Sequence, residues 1–241
     1  GGLCTGAGAC EFILASDAEV SAAFVRGDVR DGGTPAQLDG GVTTDAPLPS
    51  VSAALMTRNE SGRSGWYYLP PAFNQHSVPV LLAYHGSGGS GYDMAAAFEA
   101  LALTREFIIV APDSRISSLG TWEVGNHPGE VTPDYTHALA CLEEVLRIPG
   151  VNYDRSAVMA VGFSGGGSSA PYLATNDARF GAYAVLHGGV IPGGMGTNRV
   201  RGWFSTGTGD TVRSPAAVRS AADYMLSLGF ADVTFNTYPI G

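Results

Sequence analysis

One short segment constrains the fold of this 241-residue chain more than any other. Residues 162–166 read G-F-S-G-G and directly follow the apolar run A-V-M-A-V at residues 157–161. An apolar, partly β-branched run predicts a buried strand, and a glycine on each flank of the motif permits a turn too tight for side chains. Residues 167–174 can then start a helix. The segment therefore predicts a strand, a sharp turn that presents Ser164, and a helix.

A serine on such a turn holds its hydroxyl above the sheet, where a substrate can reach it. This is the placement of a nucleophile in acyl transfer, and Ser164 is our candidate for that role. The alternative is a glycine turn that only joins two buried elements, because short G-x-S-x-G matches arise by chance in a chain with 34 glycines.

A second glycine-rich loop follows the apolar run at residues 78–84 and reads H-G-S-G-G-S-G over residues 85–91. Such a loop presents backbone N–H groups with little side-chain bulk, so a substrate carbonyl can approach closely. We predict that the N–H groups of Ser87 and Gly165 form an oxyanion hole. A phosphate-binding loop is disfavoured, because no lysine follows the glycines and all 13 basic residues are arginines.

His85 opens this loop and could act as a base, but a histidine at such a position more often hydrogen-bonds the backbone and holds the loop in shape. We therefore predict the structural role for His85.

Asp210 lies in the loop that follows a third predicted strand, at residues 203–207. Functional groups of an open α/β sheet gather at the carboxyl ends of its strands, so Asp210 is placed to orient a histidine. The alternative is an Asx turn or a helix N-cap before residues 215–218. Asp113 follows the strand near Ile108 and is the second candidate for the acid.

Taken together, these segments resemble the α/β-hydrolases, and within them the secreted esterases grouped with polyhydroxybutyrate depolymerases and feruloyl esterases. The resemblance runs from Arg63 to the end of the sequence. It implies that Ser164 is the nucleophile, that Asp210 is the acid, and that Ser87 and Gly165 are the oxyanion donors. The matching segments are residues 67–70, 85–87, 120–122, 162–167 and 206–212.

The histidine of this family follows the acid in the chain, whereas all five histidines here precede Asp210. The resemblance therefore implies that the sequence stops just before the catalytic histidine. His187, at the end of the strand that follows the nucleophile helix, is the alternative base. A satisfied polar cap on that strand is the simpler interpretation of His187. The histidines are His76, His85, His127, His137 and His187.

Alternating apolar strands and helical windows predict an α/β fold, with a mostly parallel sheet and helices on both faces. Strands are predicted near Tyr67, Val80, Ile108, Val158, Tyr183, Phe204 and Val233, and helices at residues 94–102, 135–147, 167–174 and 216–228. The segment at residues 120–133 has no clear period and can edge a pocket. Trp122 in that segment could stack on an acyl or aryl group of a substrate, with core packing as the alternative.

The first 50 residues differ in kind from the rest. Residues 1–25 resemble the final hairpin of a bacterial surface β-repeat, and residues 26–50 form a glycine- and proline-rich linker. Residues 51–241 then make up the hydrolase domain. We predict a Cys4–Cys10 disulfide, with two free thiols as the alternative; a disulfide implies a secreted or cell-surface protein.

Composition narrows the partners. A net charge of −9 disfavours nucleic acid and anionic membrane surfaces, and no apolar run approaches the roughly 20 residues that span a bilayer. The chemistry needs no metal or organic cofactor, and we expect a monomer. Cys141 lies among apolar neighbours and is predicted to be in the core rather than a nucleophile.

The leading hypothesis is a serine hydrolase that cleaves carboxylic esters, polymeric ones among them, through an acyl-enzyme on Ser164. The alternatives are a catalytically silent module that binds ligands through the same pocket, or a thioesterase or peptidase.

Overall fold

The computed structural model describes residues 8–14, 18–24, 54–55, 63–115 and 122–239. The linker predicted at residues 26–50 and Cys4 lie outside these ranges, so the linker, the domain boundaries and the Cys4–Cys10 disulfide stay predictions. Two strands near the start of the chain pair antiparallel as a hairpin, from Gly8↔Phe24 to Leu14↔Ala18.

The strands in the described ranges are β1 Gly8–Leu14, β2 Ala18–Phe24, β3 Ala54–Leu55, β4 Gly65–Tyr68, β5 Val78–Tyr84, β6 Ile108–Pro112, β7 Tyr153–Phe163, β8 Ala182–Leu186, β9 Arg201–Gly207 and β10 Val233–Tyr238. A strand lies at each of the seven positions that the sequence predicted. Eight of these strands form the main sheet, in the order β10-β9-β8-β7-β5-β6-β4-β3. Strands β5 to β10 run parallel, whereas β3 and β4 are antiparallel to their neighbours.

In the part of the chain that the structure describes, four α-helices connect the strands, namely α1 Gly91–Arg105, α2 Pro133–Leu146, α3 Ser169–Asn176 and α4 Pro215–Ser227. Helix α1 starts three residues before the predicted position, because Ser90 and Asp93 form a capping box around its first turn. Helix α3 starts later than predicted. A 3-10 turn, Ser164–Ser168, comes between the end of β7 and this helix.

The core lies on both faces of the sheet. Alternate residues of β5 face opposite sides: Val80 and Leu82 join one apolar cluster, while Leu81 and Ala83 join the other. Buried apolar residues of α2, α3 and α4 belong to the first cluster, and those of α1 to the second. The expected layer arrangement, with helices on both faces, is therefore confirmed.

The parallel strands end together at one edge of the sheet. In the strand register Tyr84 of β5 pairs with Gly162 of β7, and Phe163 of β7 pairs with Leu186 of β8. The residues that follow these strand ends are therefore brought side by side, about 5 Å apart from strand to strand. No helix in the described ranges is both long enough and apolar enough to cross a bilayer.

Candidate active site

Ser164 occupies a tight turn at the end of β7, with a left-handed φ of 49°. A Cβ on Gly162 would lie 2.0 Å from the carbonyl oxygen of Gly166, and one on Gly166 would lie 2.5 Å from that of Tyr84. Neither position has room for a side chain, as the sequence predicted. The strained, non-glycine φ of Ser164 presents its side chain at the strand edge, and such outliers cluster at functional sites.

The loop after β5 comes into direct contact with this turn. The position of a Cβ on Gly165 lies 2.5 Å from Ser87 Oγ and 3.2 Å from Ser87 N, and a Cβ on Gly86 would lie 3.2 Å from Ser164 Cβ. The Ser87 N–H donates to no acceptor within the described part of the chain. The structure therefore brings together Ser164, Ser87 and Gly165, the residues predicted for the nucleophile and the oxyanion hole.

His85 holds this loop through both ring nitrogens. Its Nδ1 lies 2.7 Å from the Gly86 carbonyl oxygen, and its Nε2 lies 3.0 Å from the Ser114 nitrogen. A backbone N–H can only donate, so Nε2 accepts and Nδ1 carries the proton of a neutral ring. Burial lowers the pKa of His85, although the bond to Gly86 acts in the opposite direction. This geometry matches the structural role predicted for His85.

Trp122 packs beneath the same loop. Its Nε1–H donates to the His85 carbonyl oxygen at 2.8 Å, and its ring contacts the rings of Tyr84 and His85 with centroids 4.8 and 4.7 Å away. Only 7% of Trp122 is exposed. This placement matches the packing alternative, and contact between Trp122 and a substrate stays a prediction.

Asp210 lies in the loop after β9 and is buried. Its Oδ1 accepts the backbone N–H groups of Val212 and Arg213, both at 2.9 Å, so the Asx-turn geometry is present. Its Oδ2 accepts from Thr206 Oγ1 at 3.2 Å and lies 3.3 Å from His187 Nδ1. Burial raises the pKa of Asp210, but these hydrogen bonds together outweigh it and leave the pKa below its ordinary value. Asp210 is thus a fixed carboxylate.

His187 directly follows β8 and stands beside Ser164, because Phe163 and Leu186 pair across the neighbouring strands. Its φ of 52° is left-handed, and its backbone N–H donates to the Ser205 carbonyl oxygen at 2.8 Å. None of the histidine hydrogen bonds in the described ranges reaches Ser164 Oγ. The sequence offered His187 only as an alternative base, and its contact with Asp210 could not be derived from spacing along the chain.

The other candidate residues lie elsewhere. Asp113 accepts from the Gly91 N–H at 2.7 Å and from Ser64 Oγ at 3.2 Å, and so supports the start of α1. Cys141 is buried beside His137 in α2, and burial raises the pKa of its thiol to about 12. It is therefore a core residue, as predicted. No group of three or more potential metal ligands occurs in the described ranges.

No protein-family model matches this sequence. No curated protein matches it either. Its structure, however, is similar to many solved ones. Acyl-protein thioesterase 2 of Zea mays superposes with a TM-score of 0.54 at 16% identity, over 72% of this chain and 88% of the other. The esterase Est2 of Thermogutta terrifontis gives 0.57 at 16% identity, over 80% and 83%.

The acylaminoacyl peptidase of Pyrococcus horikoshii gives a TM-score of 0.58 at 17% identity, over 78% of this chain and 36% of that larger one. At such identities the likeness establishes the fold. The chain has the α/β-hydrolase fold that the sequence predicted.

Proposed function

We propose that this protein is a serine hydrolase that cleaves carboxylic esters through an acyl-enzyme on Ser164. The observation that supports it best is the left-handed turn at Ser164, which meets Ser87 and Gly165 at the edge of the sheet. A nucleophile and two N–H donors at one point are what acyl transfer requires. The similar structures named for esterases and a thioesterase agree with this chemistry.

The proposed reaction uses these groups in two steps. Ser164 Oγ attacks the ester carbonyl carbon, and the N–H groups of Ser87 and Gly165 stabilise the resulting oxyanion, each by about 3 kcal/mol. A histidine base takes the hydroxyl proton and returns it to the leaving alcohol, which yields the acyl-enzyme. Water, activated by the same base, then attacks the acyl group and restores Ser164.

Asp210 orients the histidine base, and among the described residues His187 is the histidine placed for this role, since its Nδ1 lies 3.3 Å from Asp210 Oδ2. The end of strand β10 lies beside the Asp210 loop as well, since the Thr208 N–H donates to the Tyr238 carbonyl oxygen at 2.8 Å.

The variant His187→Gln tests this assignment. A loss of activity as large as that of Ser164→Ala assigns the base to His187, whereas a loss below about tenfold would contradict it. His76→Gln is the matched control, because His76 is exposed and pairs only with Glu106 within the described residues.

The resemblance also supports a finer proposal about the substrate. A polyhydroxybutyrate depolymerase or a feruloyl or acetyl-xylan esterase would act on esters of a polymer, outside the cell or at a bacterial surface. In this proposal the hairpin of β1 and β2 is the end of a surface repeat, closed by a Cys4–Cys10 disulfide, and the enzyme is a monomer.

Thioester or peptide hydrolysis is the second candidate within the same chemistry. It is favoured by the structural likeness to an acyl-protein thioesterase and an acylaminoacyl peptidase. Matched ester, thioester and amide substrates of one acyl group decide between them. The ester proposal expects the highest kcat/KM for the oxygen ester after correction for leaving-group reactivity, and a strong preference for the amide would contradict it.

The direct test is hydrolysis of p-nitrophenyl acetate and butyrate by the wild type and by Ser164→Ala. We expect the variant to lose activity by about 10³-fold or more, because the proposed acyl-enzyme forms on Ser164 Oγ. Ser220→Ala is the control, since Ser220 is exposed on α4 and bonds only its own helix. Folded wild-type protein with no more turnover than Ser164→Ala would contradict the proposal and favour a silent binding module.

A further inference from the structure

The side chain of Arg213 passes beside the nucleophile. The position that a Cβ would take on Gly188 lies 3.1 Å from Ser164 Cα and 3.4 Å from Arg213 Cγ. Gly188 itself has a left-handed φ of 146° and follows His187. The aliphatic part of the Arg213 side chain and the backbone of Ser164 therefore both lie next to Gly188. An arginine so placed can reach a group attached to a substrate held at Ser164.

Arg213 differs from most other arginines of the protein in having no carboxylate for its guanidinium. Six arginines pair with acidic residues: Arg63, Arg115, Arg147, Arg179, Arg201 and Arg219. Two others, Arg155 and Arg199, lie over aromatic rings. Arg105 is exposed at the end of α1. Within the described ranges Arg213 alone is half-buried with neither an acidic nor an aromatic partner.

Asp210 is near Arg213 in the chain but does not neutralise it. The contact between the two uses the Arg213 backbone N–H, not the guanidinium. Both Asp210 oxygens are occupied, Oδ1 by two backbone N–H groups and Oδ2 by Thr206 and His187. The positive charge of Arg213 is therefore left for a group that comes from outside the protein.

The physical chemistry favours an anion as that group. Arg213 is half-buried and so has lost part of its contact with water, and a planar carboxylate would form two hydrogen bonds with its guanidinium at once. The protein carries a net charge of −9, so its overall field repels anionic substrates. A cation at the site supplies local attraction that acts only on a correctly bound substrate.

We propose that Arg213 forms an anion-binding subsite of the Ser164 site, and that the preferred ester carries a carboxylate close to the scissile bond. This inference rests on the proposed serine hydrolase function, because it assigns the substrate class of that same site. Arg213 binds and orients the substrate and takes no part in proton transfer.

The test compares esters that differ only in this charge. Mono-p-nitrophenyl succinate and its methyl ester present the carboxylate, or its neutral form, on the acyl side. The pair 4-acetoxybenzoate and methyl 4-acetoxybenzoate does the same on the alcohol side. For at least one pair the wild type is expected to show a kcat/KM about 10- to 100-fold higher for the anion, the effect of a charge-assisted hydrogen-bond pair.

In Arg213→Gln the ratio of kcat/KM for the anionic ester to that for the neutral ester is expected to fall to about the ratio of the uncatalysed rates. Arg213→Lys is expected to restore part of this preference, because an ammonium group keeps the charge but lacks the planar pair of donors. Arg219→Gln, an exposed arginine on α4 paired with Asp223, is the control and should keep the wild-type ratio. Raising the ionic strength should lower the ratio in the wild type. Thermal unfolding of each variant verifies that it is folded.

The outcomes separate the two proposals. No Ser164-dependent hydrolysis of any ester would overturn the proposed function and this inference together. Hydrolysis of the neutral esters with no preference for either anion, or a preference that Arg213→Gln retains, would overturn the anion subsite alone. A carboxylic ester that carries a phosphate or sulfate group and is preferred over the esters that carry a carboxylate would contradict the carboxylate assignment.

Discussion

Two loops at the carboxyl edge of the sheet begin with a histidine, and the two histidines have opposite surroundings. His85, after β5, is buried, and both of its ring nitrogens bond backbone groups, those of Gly86 and Ser114. His187, after β8, has a left-handed φ and places one ring nitrogen on the Asp210 carboxylate. The comparison shows that two histidines with the same position after a strand are distinguished by their hydrogen-bond partners, which are backbone groups for His85 and a carboxylate for His187.

The difference between the two histidines follows from the groups that their ring nitrogens contact. A histidine whose Nε2 accepts from a backbone N–H cannot take a proton without losing that bond, so His85 is held neutral. A histidine whose ring nitrogen donates to a carboxylate is held in one tautomer and one orientation, as the base of a catalytic triad is. In the proposed mechanism the loop of residues 85–91 therefore presents N–H groups, whereas Asp210 positions a base.

The largest expected effect comes from removing the negative charge of Asp210. Asp210→Asn keeps the size of the side chain but removes the charge that orients and stabilises a protonated histidine. We expect kcat for p-nitrophenyl butyrate to fall by about 10³- to 10⁴-fold. Asp223→Asn, on the exposed face of α4, is the matched control. Near-wild-type turnover in folded Asp210→Asn would show that Asp210 is only a turn residue.

The second prediction concerns His85 and the loop that it supports. His85→Leu leaves the Gly86 carbonyl and the Ser114 N–H without their partners, so the free energy of unfolding is expected to fall by about 1–3 kcal/mol. Urea denaturation measures this loss, and kcat should fall as well because the Ser87 loop loses its support. A variant with unchanged stability but no activity would mean that His85 acts in the chemistry.

The third prediction concerns the pH dependence of the free energy of unfolding. Burial lowers the pKa of His85, and burial together with Arg63 lowers the pKa of His137 to about 4. Each folded-state pKa lies below that of the unfolded chain, near 6.5, so the unfolded chain binds more protons at mildly acidic pH. The free energy of unfolding should therefore fall as the pH drops from about 6.5 toward 4. Urea midpoints at a series of pH values measure this slope.

His85→Leu should make that slope shallower, since only His137 then remains neutral by burial. A slope that is unchanged in the variant would contradict the account of His85.

The smallest effect is expected from Trp122→Phe. The ring is retained, but the Nε1–H bond to the His85 carbonyl oxygen is lost. We expect the free energy of unfolding to fall by about 1 kcal/mol, with little change in KM for small esters. A large rise in KM with unchanged stability would instead support stacking of Trp122 on the substrate.

The fold could be predicted from the sequence because its signals are local. The apolar runs of β5 and β7, and the glycines around Ser164, determine strands and a tight turn by short-range sterics. The later start of α3 was not predictable, because the 3-10 turn at residues 164–168 depends on contacts with the β5 loop. Boundaries set by such long-range contacts have no signature in a short window.

The site was predictable to the extent that each residue follows a strand. Ser164, Ser87 and Asp210 were found in this way, since parallel strands gather their carboxyl ends. The contact of His187 with Asp210 required the order β9-β8-β7 across the sheet, which the sequence does not encode locally. Arg213 gave no signal, because an arginine in a polar loop is identified as unusual only when its neighbours are known.

The most direct test of the proposed function is the labelling of the wild-type protein with a fluorophosphonate, followed by mass spectrometry of the intact chain and of its peptides. A serine activated by a base and an oxyanion hole reacts, whereas an unactivated serine does not. We expect one adduct per chain, located on Ser164 and absent from Ser164→Ala. Folded wild-type protein that forms no adduct, or an adduct that persists in Ser164→Ala, would contradict it.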